Sequence, residues 1–135
     1  MTAAMNAIAT GSYVHPRLIR ATKAGDGPWR EIAPAPREVT FDPAAIQAVQ
    51  AQLEAVVTQE GTGHRARVEG FRVAGKTGTA KKIVGGAYSK QYYSSFLGYG
   101  PVEAPRYTVL VMYDEPIVDK YGGLAAAPVF SSIME

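Results

Sequence analysis

Two runs near the C-terminus limit the possible fold more than any other feature. Tyr92–Tyr99 (YYSSFLGY) and Arg106–Tyr113 (RYTVLVMY) are rich in aromatic and β-branched residues, so they read as strands. Only Gly100-Pro-Val-Glu-Ala-Pro105 joins them. A parallel return needs a crossover of a dozen or more residues, so the two strands are expected to be antiparallel neighbours. Upstream, Phe71, Val73 and Gly75 alternate with Arg72 and Ala74, predicting a third strand over Phe71–Ala80. The chain is expected to be α+β, with three consecutive strands in an antiparallel sheet packed with helices.

The helices have their own signals. Met1–Thr10 carries Met1, Met5 and Ile8 on one face and stops at Gly11. Asp42-Pro43 supplies an N-cap and a first-turn proline, and Ile46, Val49, Leu53, Val56 and Val57 form an apolar stripe on a helix expected to end near Gln59. Gly61 and Gly63 follow it. A last helix is expected over Leu124–Met134, after Gly122-Gly123. Lys81–Gln91 reads as a glycine-punctuated loop. From Tyr13 to Thr40, Pro16, Pro28, Pro34 and Pro36 with Gly25 and Gly27 break any long element and predict an extended, linker-like segment over 17–40. Trp29 in that segment is expected to pack against a neighbouring surface.

Composition excludes several functions. Hydrophobic residues make up 47 % and charged residues 19 % of 135, which describes an ordered globular chain of one domain's size. With no cysteine there is no disulfide, thiolate metal site or thiol nucleophile. His15 and His64 have no partner at metal-ligand spacing; His64 is expected on an exposed turn. A net charge of +2 with no basic stripe gives no reason to expect nucleic acid as a partner. Lys81-Lys82 is the densest basic pair and is expected in a solvated loop.

One stretch carries two possible chemistries. In Gly70–Ala80 (GFRVAGKTGTA), Gly70-x-x-x-x-Gly75-Lys76-Thr77 matches the phosphate loop of nucleotide hydrolases. Val109–Asp114 likewise imitates an apolar strand ending in a magnesium-binding aspartate. A phosphate loop needs an apolar strand before it, glycines within it and a helix after it. Here Phe71-Arg-Val-Ala74 contains no glycine, and Gly78 and Gly85-Gly86 follow the threonine. Asp114 therefore reads as a strand-end residue facing solvent. If the segment is a strand, the cation of Lys76 and the hydroxyls of Thr77 and Thr79 gather in one small region. Gly78 then leaves room for a ligand amide along the strand. Such groups suit an anionic, peptide-like ligand, with a backbone N–H available for a developing oxyanion.

Lys76-Thr-Gly-Thr79 also looks like the third signature of serine enzymes that react with β-lactams. The segment Gly61–Ala80, then Ser95-Phe-Leu-Gly-Tyr-Gly-Pro101, Asp114-Glu-Pro116 and Tyr121–Phe130, resembles class B penicillin-binding proteins block by block and in order. The Met1–Gly11 helix and Tyr13–Leu18 resemble what precedes these blocks, so the likeness covers the whole chain. It implies part of the penicillin-binding and serine β-lactamase-like fold and a peptidoglycan D,D-transpeptidase of cell division or elongation. The implied ligands are D-Ala-D-Ala stem peptides and β-lactams, with no cofactor or metal. The implied location is the extracytoplasmic side of the bacterial membrane. Lys76 would be the electrostatic and proton-network lysine. Thr77 and Thr79 would offer hydroxyls to the ligand carboxylate, the Thr79 N–H would be half of an oxyanion hole, and Gly78 would admit the ligand backbone. Tyr121 would wall the cleft, although Lys120 stands where the family often has a second aromatic.

The family's nucleophilic Ser-x-x-Lys and its Ser-x-Asn element are absent from the sequence. Thr79-x-x-Lys82 matches loosely but follows a strand instead of opening a helix. Residues 1–135 are therefore expected to be a single partial domain, the C-terminal subdomain of a transpeptidase domain, inactive alone. Its partner would be the missing N-terminal half, with self-association or domain swapping in its absence. A non-catalytic docking module is the alternative from a different class.

Overall fold

Gly85 and Gly86 take φ of 61° and 84° at the tip of a long hairpin. Two successive positive φ values make the two-residue turn whose twist matches flanking strands, and glycine adopts them without steric cost. The computed structural model, which describes residues 1–33 and 38–135, therefore continues the ladder through the segment expected to be a loop. Strand β5 is Ala74–Val84, β6 is Ala87–Gly100 and β7 is Tyr107–Asp114, all antiparallel in the order β5-β6-β7. Lys81–Gln91 is thus corrected from loop to hairpin arms, closed by Val84 opposite Ala87. At the other end the expected strand starts late. Gly70, at φ 93°, turns the chain so that Phe71 bridges Val68 instead of joining the ladder.

Helix α1 (Thr2–Thr10) ends at Gly11, which takes the left-handed conformation at φ 71°. Its last carbonyls are satisfied from outside, since Gln50 Nε2 donates to the carbonyls of Ile8 (2.8 Å) and Ala9 (3.3 Å). Met5 is buried, Ile8 packs partly, and Met1 is exposed, so the expected apolar face narrows. Helix α2 (Pro43–Ala55) starts as its cap predicts, Asp42 Oδ1 accepting from the Ala44 N–H at 3.0 Å. It stops four residues before Gln59, because the Gly63 N–H returns to the Val56 carbonyl at 2.9 Å and a side chain at Gly61 would strike that carbonyl. Within the expected stripe Leu53 and Val57 are buried, Ile46 and Val56 half-buried and Val49 exposed.

The stretch between α1 and α2 is less of a linker than expected. Strand β1 (Ser12–Tyr13) pairs with β4 (Glu38–Thr40), and β2 (Ala21–Thr22) with β3 (Arg30–Glu31), both antiparallel. Pro34 and Pro36 lie outside the described residues. Trp29 is 70 % exposed, so it does not pack as expected. A one-turn 3-10 helix covers His64–Ala66, where His64 is half-buried with Nδ1 3.2 Å from the Gly61 carbonyl. At the C-terminus, α3 (Gly122–Ala125) and α4 (Ala127–Met134) replace one continuous helix, and the glycine pair lies inside the first of them.

These elements make three layers. Thr77, Phe96 and Val111 are register partners on one face of the sheet, where Phe96 stacks on Phe130 of α4 with ring centroids 4.8 Å apart. Val57, Ala66, Val73, Ala126 and Ala127 complete that cluster. The opposite face carries Ala74 and Tyr99, covered by Met5 and Ala9 of α1 and Leu53 of α2. The outer edge of β5 has no strand partner among the described residues.

Candidate functional site

Alternation along β5 divides the four signature residues between the two faces of the sheet. Thr77 and Thr79 share the face of Gly75 and Phe96, while Lys76 and Gly78 point to the face of Ala74, opposite Leu97 and Ser95. The cation and hydroxyls, expected in one small region, thus leave the strand on opposite faces at the level of Cβ. The ammonium nevertheless returns to the strand, because Lys76 Nζ donates to the Thr77 carbonyl at 2.9 Å. Four flexible carbons carry the charge around to the backbone beside Thr77. Among the described residues Lys76 has no carboxylate partner.

The two threonines engage different segments, Thr79 the start of α3 and Thr77 the loop that follows α2. Thr79 Oγ1 accepts the Gly122 N–H at 3.2 Å. Thr77 Oγ1 lies 3.2 Å from Thr62 Oγ1. Glycine is required where α3 meets the sheet and that loop: a Cβ on Gly122 would run into the Ser95 and Gly78 carbonyls, and one on Gly123 into the Thr62 carbonyl. At Gly78 a Cβ would sit 2.5 Å from Ser95 Oγ, so a side chain there would make the serine hydroxyl rotate away. The smallness of Gly78 thus accommodates the neighbouring strand.

Thr79 and Ser94 are opposite one another across β5 and β6. Ser94 is fully buried and its hydroxyl donates to the Lys120 carbonyl. Gly122 is fixed to Thr79 and Lys120 to Ser94, so Tyr121, between them, stands beside Thr79. The ring of Tyr121 is 54 % exposed and its N–H is held by Asp119 Oδ1 at 2.9 Å. Lys120 Nζ lies 5.0 Å from the centre of the Tyr92 ring and 5.3 Å from that of Tyr121.

Thr62, Ser94 and Asp119 escaped the sequence reading. Gly61-Thr-Gly63 was legible only as a helix stop. Its glycines also let Thr62 approach Thr77, since a Cβ on Gly63 would lie 2.8 Å from the Phe96 ring. Asp114 ends β7 and is exposed, as expected, and it also pairs. Lys82 Nζ reaches Asp114 Oδ1 at 2.7 Å and Glu115 Oε1 at 2.5 Å, and these two carboxylates push its ammonium well above the ordinary lysine range. Lys82 is accordingly a paired strand residue, unlike the solvated lysine expected at Lys81-Lys82. Lys76 lies inside an antiparallel strand with no helix after it, so the phosphate-loop reading fails on geometry.

Comparison with known proteins agrees with this arrangement. The family model described as "Penicillin binding protein transpeptidase domain" matches residues 1–135. The peptidoglycan D,D-transpeptidase FtsI of Escherichia coli strain K12 is 38 % identical over 126 residues, covering 92 % of this chain and 20 % of the relative. Penicillin-binding protein PbpB of Mycobacterium tuberculosis is 39 % identical over 146 residues, covering 98 % and 21 %. The chain thus spans about a fifth of the length of these curated relatives. Among solved structures, penicillin binding protein 3 of M. tuberculosis, titled as complexed with aztreonam, superposes with a TM-score of 0.85 at 37 % identity, over 98 % of this chain and 32 % of that one. The apo transpeptidase (TP) domain of penicillin-binding protein 3 from Burkholderia pseudomallei gives 0.76 at 39 %, over 98 % and 39 %.

Proposed function

Since the chain belongs to the penicillin-binding protein transpeptidase family, we propose that β5 is the ligand strand of a peptidoglycan D,D-transpeptidase. The observation that carries this reading is the outer edge of β5 at Lys76-Thr-Gly-Thr79, without a strand partner among the described residues, with an ammonium and two hydroxyls attached to one short stretch of backbone. A D-Ala-D-Ala peptide laid along that edge puts its terminal carboxylate near Lys76, Thr77 and Thr79. Its scissile carbonyl then lies at the Thr79 N–H, where a donor stabilises the oxyanion that forms when a serine attacks. The C–N bond breaks, the terminal D-Ala leaves with a proton, and the acyl group passes to an acceptor amine. A β-lactam would enter the same place, its ring amide standing in for the scissile bond.

The attacking serine lies outside this sequence, which contains no Ser-x-x-Lys. Lys76 supplies positive field to the carboxylate, Gly78 keeps the strand flat against Ser95, and Tyr121 walls the end of the cleft. Peptidoglycan is built outside the cytoplasmic membrane, so the working location is extracytoplasmic. Among the described residues no helix is long and apolar enough to cross a membrane.

The test is binding to the 135-residue chain. N-acetylated D-Ala-D-Ala peptide added to labelled protein is expected to shift the amide resonances of Thr77, Gly78 and Thr79 before any others. Lys76→Ala is expected to weaken that binding about tenfold, as loss of a charge-assisted hydrogen bond should. Its melting temperature should hardly change, because the side chain is exposed. Unchanged affinity in Lys76→Ala, or shifts confined to other surfaces, would remove the reading.

A further inference from the structure

Lys120 is a cation held over two rings whose position the proposed reaction leaves unexplained. Its backbone is anchored, the carbonyl accepting from the buried Ser94 hydroxyl. Its ammonium lies over two tyrosine rings, Tyr92 at 5.0 Å and Tyr121 at 5.3 Å, which fix where the charge stands. Among the described residues it has no carboxylate partner. The nearest acid in sequence, Asp119, turns its carboxylate to the Tyr121 N–H at 2.9 Å. Lys82, on β5, instead holds two carboxylates at once. The two lysines stand over consecutive residues of β6 that point to opposite faces of the sheet, Lys82 over Tyr93 and Lys120 over Tyr92, the first neutralised and the second positioned but unpaired.

Direction along β5 says what that charge can meet. Ser94 faces Thr79 across the ladder, and Tyr92 faces Lys81, two residues farther along. A ligand with its terminal carboxylate at Lys76 and Thr77 and its reacting carbonyl at Thr79 runs its acyl side past Ala80 and Lys81. It leaves along the Tyr92–Lys120–Tyr121 rim. We infer that Lys120 is a specificity-determining residue that favours peptide-like ligands with a second carboxylate on the acyl side of the D-Ala-D-Ala unit. The inference rests on the reading of β5 as the ligand strand.

Two matched peptides test it on the full chain: N-acetyl-Glu-D-Ala-D-Ala and N-acetyl-Gln-D-Ala-D-Ala differ by one carboxylate at nearly constant shape. Affinities are read from amide shifts at low salt. The glutamate peptide is expected to bind about threefold tighter, the size typical of one exposed ion pair. The preference should fade in about 0.5 M salt, where exposed charges are screened. It should vanish in Lys120→Gln and persist in Lys120→Arg, while affinity for the glutamine peptide stays within about twofold in both variants. Equal affinity of the two peptides for the unaltered chain overturns the inference, as does a preference that survives Lys120→Gln. If neither peptide shifts Thr77, Gly78 and Thr79, the ligand-strand reading itself has failed, and this inference falls with it.

Discussion

Tyr99 shows how completely the sheet is enclosed where α1 and α2 cover it. Its ring is fully buried among Met5, Ala9, Leu53 and Ala74, and its hydroxyl has no hydrogen-bond partner among the described residues. Burial, and to a lesser degree the charge of Glu54, pushes its phenol above the ordinary tyrosine range. An unsatisfied buried hydroxyl is a liability of roughly 1 kcal/mol or more. Tyr99→Phe is therefore expected to leave the fold intact and raise stability by about 1 kcal/mol in urea unfolding. A loss of stability would mean that the hydroxyl has a bonding role. The signature residues differ in kind, since Lys76 is exposed and the two threonines spend their hydroxyls on Gly122 and Thr62. Their side chains contribute little to the core, and each hydroxyl, with a single partner, keeps hydrogen-bonding capacity.

Among the elements, β5 is fixed at its start by charge as well as by the ladder. Arg72, just before it, donates to Glu103 at 2.5 Å and to Glu54 at 2.7 Å, tying the strand entrance to α2 and to the β6–β7 connection. The hydrogen bond from Arg72 holds the Glu103 carboxyl below its ordinary range. A carboxyl with a depressed folded-state pKa adds stability above its unfolded pKa and loses it as pH falls toward the folded value. Glu103→Gln should therefore flatten part of the fall in urea midpoint between neutral pH and about pH 3. Identical acid profiles for the two proteins would mean that this exposed pair does not matter.

The same elements show what the sequence could and could not reveal. Asp42-Pro43, Gly11 and the antiparallel β6–β7 pair were legible because cap, stop and short connection are local chemistry. The hairpin arms were missed because Gly85-Gly86 serves equally for a loop and for a tight turn, and only the pairing of Val84 with Ala87 distinguishes them. The helix end near Val56 was missed because the Gly61–Gly63 return to its carbonyl involves residues beyond the apolar stripe. The signature strand was legible, and with it the period-two alternation that sets Lys76 and Gly78 on one face and the threonines on the other. Thr62, Ser94 and Asp119 carried no readable signal, because each acts through a contact distant in sequence or through its own turn.

At the scale of the molecule, a three-stranded sheet is covered on both faces while two of its edges have no strand partner among the described residues. Apolar side chains remain outside the core, including Leu18, Ile117 and Val118, each almost wholly exposed, and Met112, Tyr107 and Ile83 along the sheet and its hairpin. Free strand edges and exposed apolar patches favour pairing with another chain. The 135-residue chain is expected to self-associate, its sedimentation coefficient rising with concentration. A compact monomer at every concentration would contradict this.

The central claim is that the edge at Lys76-Thr-Gly-Thr79 receives the acylating ligand, and covalent labelling tests it most directly. The chain would be fused to the Ser-x-x-Lys-bearing part of a relative's domain, with folding verified by a cooperative thermal transition, and exposed to a fluorescent penicillin. A covalently labelled band is expected, strongly diminished by Lys76→Ala. A folded fusion that takes no label, or labels equally well without Lys76, would contradict the claim.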